Sequence, residues 1–102
     1  MITAYQIAKF IKGELLGNKN LIISGATDLI PGKQLHISFF NNNLNKSYLD
    51  TTKSDLIIIS DEVNLENLTK TIIKVLNPKR SFFSVVEKYF NSIDNNCSEG
   101  IH

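Results

Sequence analysis

A single cysteine, Cys97, leaves no partner for a disulfide within the chain, and such sparing use fits a reducing compartment. No apolar run approaches the roughly 20 residues of a membrane-spanning helix. The N-terminus lacks the basic segment, apolar stretch and small-residue cleavage site of a signal peptide. These absences make the cytoplasm the expected location. Charge is missing as a signal too. Eleven basic residues against ten acidic ones leave a net charge of +1, which offers neither nucleic acid nor an anionic membrane an electrostatic hold.

Catalytic chemistry is equally thin. The two histidines are His36 and the terminal His102, and no Cys/His cluster has metal-ligand spacing. Five glycines are scattered singly, so neither a P-loop nor a dinucleotide-binding loop is present. Nothing marks a nucleophile with its base. Asp61 and Glu62 are adjacent acids that read as a solvated turn. His36 alternates outward from an apolar run and reads as an exposed or edge residue. No catalytic residue, metal site or cofactor is expected, and the chain by itself does not read as a complete enzyme.

What is present is the pattern of one small domain. At 102 residues, with 42 % apolar and 21 % charged side chains, the chain can bury a modest core. In "ITAYQIAKFIKG", Thr3 and Gln6 have capping-box spacing, and Ile2 and Ile7 occupy the two positions of a hydrophobic staple. Ala4, Ile7, Ala8 and Ile11 share a face, and Gly13 is expected to supply the left-handed stop. "ELLG" and "LIISGATDL", parted by "GNKN", read as a β-hairpin. "LHISFF" is a strand candidate with Leu35, Ile37 and Phe39 alternating against His36 and Ser38. Residues 44–53 have weak helical periodicity, "DLIIIS" and "TIIKVLN" are strands buried on both faces, and "DEVNLENLTK" is a turn or short helix. Asn77 caps a helix with Pro78 at its first position, and Phe82, Val85, Val86, Tyr89 and Phe90 form its core-facing stripe. Helices alternating with buried strands predict an α/β sandwich, a mixed β-sheet with about three helices. Residues 1–90 form the expected domain. Residues 91–102 are polar and aperiodic and read as a linker.

Binding is the better lead. Phe39 and Phe40 stand at the end of a strand candidate, before a tract containing Asn41, Asn42, Asn43 and Asn45. Alternation points Phe39 and Phe40 to opposite faces. Either ring can fill the core, or one can serve as a platform for a planar heterocycle, where stacking is worth roughly 1–3 kcal/mol per base. The Asn42 amide suits a uracil edge, since it both donates and accepts; asparagine in a loop is equally a turn former.

The segments "GELLGN", "LIISGATDL", "PGKQLHISF", "FNNNLNKSYLDTTKSDLIIIS", "LNPKRSFFSVVEKYF" and "GIH" follow one another in an order that covers nearly the whole chain. In that order the chain resembles the N-terminal domain of the UDP-3-O-acylglucosamine N-acyltransferases of lipid A synthesis. A looser likeness runs to the uridine-binding N-terminal domains of Mur ligases. The resemblance implies a domain that grips the uridine of a UDP-sugar. In the family loop a Phe and a Tyr sandwich the uracil and an Asn contacts it. Phe39 matches the Phe and Asn42 the Asn. Asn43 replaces the usual Pro, and Asn45 stands where the Tyr should be, with Tyr48 three residues beyond as a candidate substitute.

The resemblance further implies that 91–102 lead to a left-handed β-helix of hexapeptide repeats that this sequence does not contain. That domain would carry the catalytic histidine, the contact with acyl carrier protein and the homotrimer interface, so a monomer is compatible with this fragment. The role implied here is positioning of the UDP-sugar for N-acylation. Two alternatives stand beside it: a non-catalytic interaction module with a degenerate pocket, and the uridine-binding domain of a Mur-type ligase.

Overall fold

The computed structural model describes residues 2–41, 46–63 and 70–90. The elements run β1 (Ile2–Thr3), α1 (Ala4–Ile11), β2 (Glu14–Leu16), β3 (Ile22–Ile23), β4 (Gly25–Ala26) and β5 (His36–Phe39). They continue with α2 (Tyr48–Thr51), β6 (Leu56–Ser60), β7 (Thr71–Val75) and α3 (Pro78–Val85), which passes into a π-helical turn, Val86–Phe90. The expected loop or helix at 61–70 is described only at its ends. Cys97 and His102 lie outside the described residues.

Five strands form one mixed sheet in the order β2-β7-β6-β5-β4, and β1 and β3 form a separate antiparallel pair. Strands β4 to β7 are mutually parallel, with β2 antiparallel to β7 at the edge. The β-branched run of β6 is buried at all five positions, because parallel strands in the middle of such a sheet are covered on both faces. On one face Ile37, Leu56, Ile58, Ile73 and Val75 meet Ile7 and Ala8 of α1 and Phe82 and Val85 of α3. On the other, Ile57, Ile59 and Ile72 meet Leu29, Phe40, Leu49 and Val63. The sandwich and its mixed sheet are as the alternation of helices and buried strands predicts.

Helix α1 starts as its residues dictate. The Thr3 side chain accepts from the Gln6 N–H at 3.2 Å and the Gln6 side chain accepts from the Thr3 N–H at 3.0 Å, with Ile2 and Ile7 buried beneath. Its stop falls one residue earlier than expected. Lys12, not Gly13, adopts the left-handed conformation (φ 58°, ψ 40°). Gly13 answers to space instead: a Cβ there would lie 2.8 Å from Cγ1 of Val75.

The expected hairpin does not form. Strand β2 pairs with β7, with Leu15 opposite Ile73, while β3 pairs with β1. The cause lies in the helix next door. The first amides of α1 need acceptors, and the Ala4 and Tyr5 N–H groups donate to the carbonyls of Leu21 and Lys19 at 2.8 and 3.1 Å. The segment after "GNKN" is thereby drawn to α1, and β2 takes the open edge of β7. "LIISGATDL" also divides at Ser24, whose N–H and hydroxyl both donate to the Leu35 carbonyl.

Two further expectations change at β5. Leu35 does not alternate with Ile37; it is exposed with φ 59°, and the strand starts after it. His36 is buried, at 8 % exposure, since β5 lies between β4 and β6 rather than at an edge. Its Nδ1 lies 2.9 Å from the Gln34 carbonyl, and its ring covers Gly25, where a Cβ would come within 2.7 Å of Nε2.

Candidate binding cleft

Strands β4 and β5 lie side by side, and residues at and beyond their carboxyl ends line a cleft of about 400 Å³. Clefts at the carboxyl ends of parallel strands are where α/β sheets hold ligands, because the loops leaving neighbouring strands diverge there and open a crevice. From β4 come Thr27, Asp28, Leu29 and Ile30; from β5, Phe39 and Asn41; from α2, Tyr48; from α3, Phe82 and Phe83. Asp28 is the one charged side chain among them. The lining is mostly apolar and aromatic, with a few polar groups, which suits a flat ring better than an anion.

The β4 wall is fixed from beneath. Buried in the strand, the Ser38 hydroxyl lies 2.8 Å from the Thr27 carbonyl, 3.1 Å from the Asp28 carbonyl and 2.6 Å from the Ser54 hydroxyl. The Thr27 N–H donates to the Ile37 carbonyl at 3.0 Å. Farther along, the left-handed Gly32 (φ +80°) seats the loop against the segment entering β6. There the Lys53 N–H donates to the Pro31 carbonyl at 2.7 Å, and the Lys33 N–H to Ser54 Oγ at 3.3 Å.

Phe39 and Phe40 take opposite faces, as alternation requires. Phe40 is a packing residue, 1 % exposed in the second core layer. Phe39 is only half-buried and belongs to an aromatic cluster. Its ring centroid lies 4.9 Å from that of Phe82 and 6.3 Å from that of Phe83, both in tilted pairs. Phe82 and Phe83 meet edge-on at 5.4 Å. Phe82 is the core member, whereas Phe83 is 45 % exposed and Tyr48 is 40 % exposed. The helical start at Asn77, whose side chain accepts from the Arg80 N–H at 3.2 Å, places this pair of phenylalanines one turn inside α3.

Of the four candidate residues, Phe39 and Tyr48 line the same cleft. Asn42 and Asn45 lie outside the described residues. Phe83 escapes the sequence reading because it falls off the periodic stripe that marks Phe82; the doubled phenylalanine is the only trace of it. Thr27 and Asp28 lie in "LIISGATDL", a segment of the resemblance that points to no ligand contact, and Ile30 lies in none of the quoted segments. A shallower hollow of about 180 Å³ adjoins the cleft through Phe39 and Asn41 and is completed by Phe40, Asn77, Pro78 and Lys79 at the start of α3. Among the described residues no group of three or more His, Cys, Asp or Glu is placed to hold a metal ion, and no helix is long and apolar enough to cross a membrane.

No protein-family model matches the chain. Curated proteins do. The chain is 31 % identical over 97 residues to a protein of Christiangramia forsetii named UDP-3-O-acylglucosamine N-acyltransferase, covering 94 % of this chain and 28 % of that protein. A protein of the same name from Bacteroides thetaiotaomicron is 31 % identical over 88 residues, 85 % of this chain and 25 % of its own length. A third, from Chlamydia pneumoniae, is 29 % identical over 103 residues, 98 % of this chain and 28 % of its own length. Nearly all of this chain thus aligns to a minor part of each relative.

Proposed function

This chain belongs with the UDP-3-O-acylglucosamine N-acyltransferases, part of whose length it spans, and from that premise we propose that it is their nucleotide-recognition domain. The observation that carries the reading is the cleft between the ends of β4 and β5, where Phe39, Phe83 and Tyr48 gather partly exposed rings around an apolar hollow. A uracil ring fits the chemistry of such a lining, since stacking on aromatic faces needs a flat π-system and no charge. Tyr48 takes the part of the second aromatic that Asn45 cannot supply. The adjoining hollow beside Lys79 and the start of α3 would receive the diphosphate, because helix N-termini and a lysine both favour anions.

Holding the nucleotide fixes the sugar amine in place, and the gain to acyl transfer is one of orientation. In this reading the domain is residues 1–90, and 91–102 lead into the hexapeptide β-helix of the parent protein. The acyl carrier protein contact and the homotrimer belong to that parent, which acts in the cytoplasm in lipid A synthesis. The N-acyltransferase names of the relatives favour this over a Mur-type ligase. The departures at Asn43 and Asn45 favour a second reading, an interaction module whose pocket has degenerated.

Calorimetric titration with UMP, UDP, UDP-N-acetylglucosamine and ADP separates the two readings. Recognition of the base predicts that the three uridine ligands bind and that ADP binds far more weakly. Equal heats for UDP and ADP, or none for any ligand, would contradict it.

A further inference from the structure

We infer that the Thr27 hydroxyl is a ligand-binding group of the cleft, hydrogen-bonding the polar edge of the ring held by the aromatic side chains. The inference rests on the nucleotide reading above and adds a residue to which the sequence reading gives no ligand role. Thr27 is 1 % exposed, yet it lines the cleft. Its main chain is fully engaged, the N–H with the Ile37 carbonyl and the carbonyl with the Ser38 hydroxyl. Its side-chain oxygen is the one buried side-chain polar atom among the described residues that has no hydrogen-bond partner.

That exception stands out against its neighbours. Buried hydroxyls are nearly always paired, because taking one out of water without a partner costs free energy. The other buried hydroxyls obey the rule. Ser38 pairs with Ser54, Thr52 Oγ1 accepts from the Ser54 N–H at 3.1 Å, and Thr71 Oγ1 accepts from the Asn18 N–H at 3.0 Å. Ser60 Oγ accepts from the Glu62 N–H at 3.1 Å. The unpaired one belongs to a residue that lines the cleft. Packing gives no reason for it, since valine has the same branched shape without the polar atom. A hydroxyl can donate to a ring carbonyl or accept from a ring N–H, so a uracil edge satisfies it in either sense. Thr27 then supplies polar contact from the floor while Phe39, Phe83 and Tyr48 supply the faces.

The test compares Thr27→Val and Thr27→Ser with the wild type, using UDP as the probe in calorimetry and urea to measure folding. The valine variant should unfold at the same urea concentration as the wild type or a higher one, while binding UDP roughly tenfold more weakly, the usual effect of losing one buried hydrogen bond. The serine variant, which restores the hydroxyl, should bind within about threefold of the wild type. If the wild type binds UDP and the valine variant binds it equally well, Thr27 plays no part in binding and the nucleotide reading survives. If the valine variant loses stability and keeps its affinity, the hydroxyl serves the fold instead. A wild type that ignores millimolar UDP overturns the nucleotide reading and this inference together.

Discussion

Phe39 leans on Phe82 with ring centroids 4.9 Å apart and planes inclined by 40°. The contact joins the end of β5 to the first turns of α3. Phe82 is sealed in the core; Phe39 is half core and half cleft wall. A ring braced from behind in this way loses little freedom when a ligand lies against it, which is how a preorganised site saves affinity.

Substitutions along this aromatic row should therefore separate stability from binding. Phe82→Ala empties a fully buried site and should cost about 3–5 kcal/mol in urea unfolding. Phe83→Ala removes a partly exposed ring and should cost less than Phe82→Ala, about 1 kcal/mol, while weakening UDP binding by roughly tenfold or more through lost stacking. Phe39→Leu should fall between them, with a modest loss of stability and a loss of binding as large as that of Phe83→Ala. Paired urea and calorimetric titrations of the three variants check the order.

Ser38 ties the cleft wall to the sheet. Ser38→Ala leaves the carbonyls of Thr27 and Asp28 and the Ser54 hydroxyl without that partner, and should cost roughly 1–3 kcal/mol. The loosened wall should also raise the UDP dissociation constant, although Ser38 does not line the cleft. Urea unfolding and calorimetry on the same variant measure both effects.

Gly32 is fixed by two independent demands. Its φ of +80° disfavours any side chain, and a Cβ would lie 2.6 Å from the Ser54 nitrogen and 2.8 Å from that of Lys53. Gly32→Ala should destabilise by more than about 1 kcal/mol, opposite in sign to the gain of roughly 0.4–1 kcal/mol that this exchange brings where the backbone is unstrained. Thermal or urea unfolding gives the sign directly.

How much of this was legible in the sequence depends on the range of the forces involved. Thr3 with Gln6, and Asn77 with Pro78, mark their helices because capping acts over three residues. The unbroken β-branched run of β6 declares burial on both faces. The hairpin reading of β2 and β3 failed because a local turn signal competes with a tertiary demand, the orphan amides of α1, which no window along the chain contains. His36 failed for a related reason: alternation describes one strand, and burial is decided by the strands on either side. Within the cleft, Phe39 is legible from its position before the loop. Phe83 is not, since exposure of an aromatic in a helix becomes meaningful only beside the rings it joins. That Thr27 carries an unpaired hydroxyl is a property of every group around it and leaves no mark in the sequence.

The most direct test is a titration of the ¹⁵N-labelled chain with UDP, followed by amide chemical shifts. A nucleotide-recognition domain predicts saturable shifts at Thr27–Ile30, Phe39–Asn42, Tyr48 and Phe82–Phe83 around the ring and at Asn77 and Lys79 beside the diphosphate, with Lys33, Lys53 and Lys70 in the separate groove beside Asp55 unmoved. Amides that stay in place at millimolar UDP, or that shift along the Lys33–Lys70 groove instead, would contradict the account.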